Sequence, residues 1–447
     1  MWSLPEGHPV VPVVSICLCN KDLAGMEGAF VARTAACFVI PQRDRAGFHL
    51  RRPVAAWRRY HMRLRRSSGS RKTTRAQFPA SSARALVLAG ALVGAMSAQP
   101  AFAQSAAPDP STFFSKIEFT GLVDTYYTYN FNEPSTGELT PLRNFDVRHN
   151  QFSVGLLELA MAKPATADDR VGFRFDLQYG QVAQIFNGDP LDNNALVNVQ
   201  QAYVSYLAPV GSGLTFEVGK FVTPIGTEPT ESNLANNYSR AFLYALGPYY
   251  HVGARVAYTV NSKVTLGGML VNGWNGTGDN NAGKSFGVSA TVMPTPKVTI
   301  IQNVLIGPEQ ADNTDDVRTY SDTNLAVTVS DKVSAGLNYV YAKDANAGEG
   351  ISWQGVALYM RGQVTDIFAV APRFEIFDDG DGFASGAPQS LKEFTLTGEF
   401  KHKQGMIFRV EYRRDWSDVD FFVKDSLPVN NQNTFTMAFV VPFSSKK

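Results

Sequence analysis

Cysteine is almost absent from this chain. Cys17, Cys19 and Cys37 are the only three, and none follows in the remaining sequence. Disulfides, thiolate metal sites and cysteine nucleophiles are therefore excluded from everything downstream. From residue 104 onward histidine is reduced to His149, His251 and His402. No apolar run there approaches the roughly 20 residues that a membrane helix needs. A Gly-x-Ser-x-Gly elbow, a His-Glu-x-x-His pair and a calcium-binding loop are all missing. His149 and His251, with Asp146 and Asp124, are as near as the chain comes to a catalytic grouping. The pattern is that of a non-enzyme with no cofactor and no metal.

Charge is present but unevenly placed. The formal net charge is +1 and the mean hydropathy −0.13. Residues 1–103 carry fifteen of the 41 basic residues and only four of the 40 acidic ones. The remainder is acidic, with 26 basic against 36 acidic residues, which argues against nucleic acid as a partner. Residues 62–103 read as a signal peptide with a basic n-region. Arg84 precedes the apolar run Ala85–Met96, and the small-x-small site Ala101-Phe102-Ala103 follows. Twelve apolar residues suit a signal core and are too few to span a bilayer. Cleavage between Ala103 and Gln104 is expected, with export through the general secretory pathway. Residues 1–61 fit no export signal and read as an unstructured or non-native upstream extension, translation starting later, at about Met62.

What fills the rest is alternation. In residues 117–131, Ile117, Phe119, Val123, Tyr127 and Phe131 share one face, while Glu118, Thr120, Asp124, Thr128 and Asn130 share the other. In an extended chain these sets point to opposite sides. After a short lead at 104–112, about sixteen such segments follow over 113–447. The first spans 113–131, the third 170–184 and the last 433–443. Connections after even segments are tight (Asn261-Ser262, Pro294-Thr295, Ser330-Asp331, Thr365-Asp366, Gln404-Gly405), and those after odd segments are long. The expected fold is all-β: a transmembrane antiparallel up-and-down β-barrel with short periplasmic turns and long extracellular loops. Trp274, Trp353, Trp416, Tyr127, Tyr129, Tyr249 and Tyr250 all fall at the long-loop ends, where an interfacial aromatic girdle is expected. The apolar face would meet outer-membrane lipid of a Gram-negative bacterium.

The polar face then lines the lumen, and sixteen strands leave room there for water. Arg174, Asp176, Glu217, Arg255, Arg373 and Glu375 belong to this face, with pairs such as Arg409 and Glu399 spanning neighbouring strands. The third long connection, 224–248, carries Glu228, Glu231 and Arg240 among aromatic residues, and Pro224 and Gly226 turn it off the sheet. Folding inward would bury its apolar residues and place those charges opposite Arg174 and Arg255. Lys220 at its base joins them only if a bulge turns it inward. Strict alternation with Phe216 and Val218 points it out.

Gly121-Leu-Val-Asp-Thr-Tyr-Tyr-Thr-Tyr-Asn-Phe-Asn, Gly172-Phe-Arg-Phe-Asp-Leu, Gln201-Ala-Tyr-Val-Ser-Tyr, Gly219-Lys-Phe and Asn237-Tyr-Ser-Arg resemble the β-barrel porin family with OmpL-like members. The resemblance runs through most of 113–443. It implies a passive, water-filled outer-membrane channel for small hydrophilic solutes or ions, narrowed by loop 224–248. A solute-specific channel with a binding site at that loop is the alternative. General sixteen-stranded porins also imply a homotrimer. Barrel proteins of this kind end on an aromatic residue read by the assembly machinery, whereas here Ser444-Ser445-Lys446-Lys447 follow Phe443.

Overall fold

A computed structural model of the chain describes residues 110–135 and 139–446. The expected signal peptide, its cleavage point at Ala103 and Gln104, and the upstream extension lie outside the described residues. A short helix, α1 (Pro110–Ser115), leads into β1 (Glu118–Asn130). Then follow β2 (Gln151–Lys163), β3 (Val171–Tyr179), β4 (Val199–Ala208), β5 (Leu214–Val222), β6 (Tyr250–Asn261), β7 (Val264–Val271) and β8 (Ser285–Thr295). The wall continues with β9 (Val298–Pro308), β10 (Val317–Ser330), β11 (Val333–Asp344), β12 (Ile351–Gln363), β13 (Phe368–Asp379), β14 (Gln389–Lys401) and β15 (Ile407–Ser417). A small hairpin, β16 (Phe422–Lys424) with β17 (Leu427–Val429), precedes the last strand, β18 (Asn431–Ser444).

Each barrel strand pairs antiparallel with its neighbours in sequence, and β18 closes the circle onto β1, so the wall has sixteen strands. Closure leaves no unpaired edge, the condition for a sheet to cross a bilayer. The residues after Phe443 are accommodated by this pairing. Ser445 exchanges hydrogen bonds with Phe119, its N–H donating to the Phe119 carbonyl and its hydroxyl accepting from the Phe119 N–H. The tail thus extends the closing ladder rather than disturbing it.

Alternation decides the faces. Val204, Val218, Leu270 and Phe286 are exposed on the outside, while Asp322, Glu375 and Thr395 are fully buried on the inside. Three details depart from expectation. The first strand, expected from 113, begins at Glu118, because Pro110–Ser115 form the helix α1. The third strand ends at Tyr179, because Gly180 (φ +110) turns the chain into α2 (Gln181–Asn187). Of the aromatic residues assigned to the girdle, several sit at the right height but on the wrong side. Trp353 is buried inside the barrel, stacked on Phe383 with ring centroids 5.4 Å apart, and Tyr250 is buried against Phe186. Loops folded into that end give these rings a core to fill, so they pack inward.

Candidate functional site: a loop clamped inside the barrel

The connection between β5 and β6, residues 223–249, is the longest, and it runs through the barrel interior. Its first residues are caught by β9 and β10. Asn303 donates to the Pro224 carbonyl at 3.1 Å, the Gly226 N–H donates to Asp322 at 3.0 Å, and the Thr227 hydroxyl bonds Asn324. Gly226 sits at φ +92, a left-handed conformation that glycine tolerates without penalty.

Farther along, the loop meets the opposite wall. Tyr238 and Ser239 donate their N–H groups to Glu411 on β15 (2.6 and 2.9 Å), and Phe242 and Leu243 donate theirs to Glu375 on β13 (2.6 and 2.7 Å). Wall arginines take the loop's carbonyls: Arg373 that of Ser239, Arg409 those of Ser232 and Ala235, and Arg413 that of Arg240. On β1, Asp124 accepts from Ser232 and from the Tyr238 hydroxyl. The loop's one helical turn, α3 (Phe242–Ala245), starts on the Glu375 carboxylate. A loop with little regular structure has many backbone groups to satisfy, and buried ones must be paired. Charged wall residues supply those partners.

A chain of buried ion pairs reinforces the clamp. Arg143 of the first long loop bridges to Asp415 at 3.1 Å; Arg413 meets both Asp415 (2.6 Å) and Glu393 (3.6 Å). Arg373 then joins Glu393 at 2.6 Å to Glu228 at 2.7 Å. Alternation places Glu393 and Asp322 on the lumenal face, but nothing in the sequence singles them out as partners of the loop.

The ten residues expected at the pore fall into two groups. Asp176, Arg240, Arg373 and Glu375 are buried, and Glu228 is spent on Arg373 and the Ala241 N–H. Arg240 departs most from expectation. It faces neither Arg174 nor Arg255 but staples its own loop, bonding the carbonyls of Pro229, Thr230, Asn237 and Tyr238. A guanidinium has five donors in a rigid fork, and the folded-in loop offers it four carbonyls. Arg174, Glu217 and Arg255 keep some exposure; Arg174 pairs with Asp176 at 2.8 Å, and Arg255 pairs with Glu217. Glu231 accepts from Gln200 at 3.1 Å. Lys220 is buried, its ammonium bonded to Asn187 of α2 and the Val199 carbonyl and 3.9 Å over the Tyr250 ring. It follows Gly219 at φ +140, which breaks the alternation that would have pointed it outward.

Two apolar clusters pack around the loop, one including Phe221, Phe242, Leu243 and Trp353, the other Tyr126, Phe145, Leu156 and Tyr238. Open space lies beside them. A cavity of about 360 Å³ separates the loop (Gly226–Pro229, Leu234–Asn237) from β9–β12. A second of about 280 Å³ lies between Arg255, Gly267, Ser289 and Asn303.

Among solved structures, the outer membrane channel DcaP of Acinetobacter baumannii matches with a TM-score of 0.51 at 12% identity. That match covers 73% of this chain and 97% of that one. OmpT of Vibrio cholerae, in its trimer form, matches at 0.50 and 12% identity over 73% and 99%. These likenesses concern the fold. Among curated protein sequences none matches the chain. The family described as "Putative beta-barrel porin-2, OmpL-like" matches residues 116–443, which is nearly the whole barrel. With a closed sixteen-stranded wall and a loop held inside it, the chain belongs to this OmpL-like β-barrel porin family, and is an outer-membrane porin.

Proposed function

We propose that the protein admits small hydrophilic solutes and ions by passive diffusion, with residues 224–248 as the fixed constriction. The observation that carries this reading is the run of bonds tying the loop to β9, β10, β13, β15 and β1 across the interior. The ten site residues divide the work. Glu228, Arg240, Arg373, Glu375 and Asp176 hold the loop and wall in shape. Arg174, Glu217, Glu231 and Arg255 touch the water path, and Lys220 braces the second long loop. Fixed charges act on passing ions over about a Debye length, roughly 10 Å at 0.1 M salt. Removal of the signal peptide at Ala103–Gln104, export through the general secretory pathway, and insertion by the barrel-assembly machinery into outer-membrane lipid complete this reading. So does a homotrimer, in line with the trimer form named for OmpT of Vibrio cholerae.

Reconstitution in planar bilayers tests it. Stepwise, ohmic conductance is expected, and deletion of most of 224–248 should enlarge each step while the barrel still assembles. Unchanged conductance after deletion would place the constriction elsewhere. Currents that saturate with one solute would favour a solute-specific channel over a general one.

A further inference from the structure

The lumen's charges are not spread around the wall. β7, β8 and β9 contain no Asp, Glu, Lys, Arg or His at all. On the lumenal face of the next strand, Asp322 is fully buried and saturated by the Gly226 N–H and by Asn303, Asn324 and Asn338. Arg318 is bonded to Asp344 at 2.7 Å and enclosed by Trp274, Trp353 and Phe383. What this arc offers to the cavities beside the loop is Thr265, Gly267, Ser289, Thr291, Thr299 and Gly336, with Lys297 of the β8–β9 turn as its one charged lining residue. The opposite arc holds the charges, and these are consumed by the loop: Asp124, Glu375 and Glu411 by its donors, Arg373, Arg409 and Arg413 by its carbonyls. The partly exposed arginines flanking the neutral arc are each paired, Arg255 with Glu217 and Arg361 with Glu399.

We infer that permeation runs along the neutral arc of β7–β11, and that its solutes are uncharged hydroxyl- or amide-bearing molecules, with little discrimination between cations and anions. This deepens the proposed passive channel and rests on it. Hydroxyls and glycines can exchange hydrogen bonds with a neutral solute without repelling either sign of ion. The bound loop supplies the facing wall with Thr227, Pro229 and Asn236.

The test uses the membrane-extracted protein bearing Ser289→Cys together with Cys17→Ser, Cys19→Ser and Cys37→Ser, so that the introduced thiol is the only one in the chain. The assembled barrel is modified with a sulfonate-bearing or an ammonium-bearing thiol reagent, which avoids any folding defect from a buried charge. In a KCl gradient the unmodified channel should show a cation-to-anion permeability ratio close to that of the free ions. The sulfonate should raise that ratio several-fold, the ammonium should lower it several-fold, and both changes should shrink as salt is raised. Liposomes should swell at least as fast in glucose as in gluconate or glucosamine. Conductance with strong native preference for one sign, or with no response to either label, would overturn the neutral arc while leaving the channel reading intact. Absence of conductance altogether would overturn both.

Discussion

Arg373 on β13 donates to Glu228 of the inner loop at 2.7 Å, and both side chains are almost wholly shielded from water. The same guanidinium bonds Glu393 at 2.6 Å, so one wall residue carries the loop's acid and the wall's acid together. Removing one partner of such a pair leaves a buried charge unmatched, which typically costs about 3–5 kcal/mol. Arg373→Ala should therefore loosen the loop while the sixteen-stranded wall still closes. Single-channel recordings should show noisier, larger current steps, and added protease should cut within 223–249. A quiet channel of unchanged size would mean that the loop does not depend on this pair.

Gly219 offers a second test. Its φ is +140, and a Cβ there would lie 2.2 Å from the Ala202 carbonyl oxygen and 2.8 Å from the Tyr203 Cα. Gly219→Val should cost roughly 1–3 kcal/mol of backbone strain beyond the clash. It should also free Lys220 from Asn187 and Val199. The folded fraction on unheated gels measures the loss, and assembly equal to the native chain would contradict it.

The two faces can be separated by thiol labelling in intact membranes. Thr265 points to the lumen and Leu266 is exposed on the outer wall. Thr265→Cys should react with a membrane-impermeant reagent, and Leu266→Cys should not. Equal labelling would be incompatible with the register of β7.

A pH dependence resides in the outer loops. Burial pushes the Asp189 carboxyl up, but hydrogen bonds from the N–H groups of Gly278, Leu191 and Thr277 and from the Thr277 hydroxyl outweigh it and hold the group below its ordinary 3.8. These bonds tie the second long loop to the fourth, at 2.6 Å for Thr277 and 3.0 Å for Gly278. A carboxylate with a depressed value contributes stability that is full above the unfolded value and lost as pH falls through the folded one. Slow amide exchange at Thr277 and Gly278 should thus persist down to pH 3.8 and disappear only below it. Asp189→Asn should remove that pH dependence. Protection that fails at higher pH would show that Asp189 is not the latch.

Strand number, strand faces and the alternation of short turns with long loops were legible from the chain itself. A two-residue period makes one face apolar wherever lipid is the solvent, as Val204, Val218 and Phe286 show, and parity requires nothing beyond local sequence. The inward course of 224–248 could be expected on similar grounds, since a loop holding Tyr238, Phe242 and Tyr244 must bury them somewhere. Tertiary structure decided who meets whom. Glu375, Glu411 and Arg409 look in the sequence like charges lining water, yet each is bound to the backbone of a loop more than a hundred residues away. Arg240 turned back on its own loop, and Trp353 and Tyr250 turned from the expected girdle into the interior. Alternation states which side a residue faces. Whether that side holds water, another loop or a buried carbonyl depends on contacts that exist only once the barrel has closed.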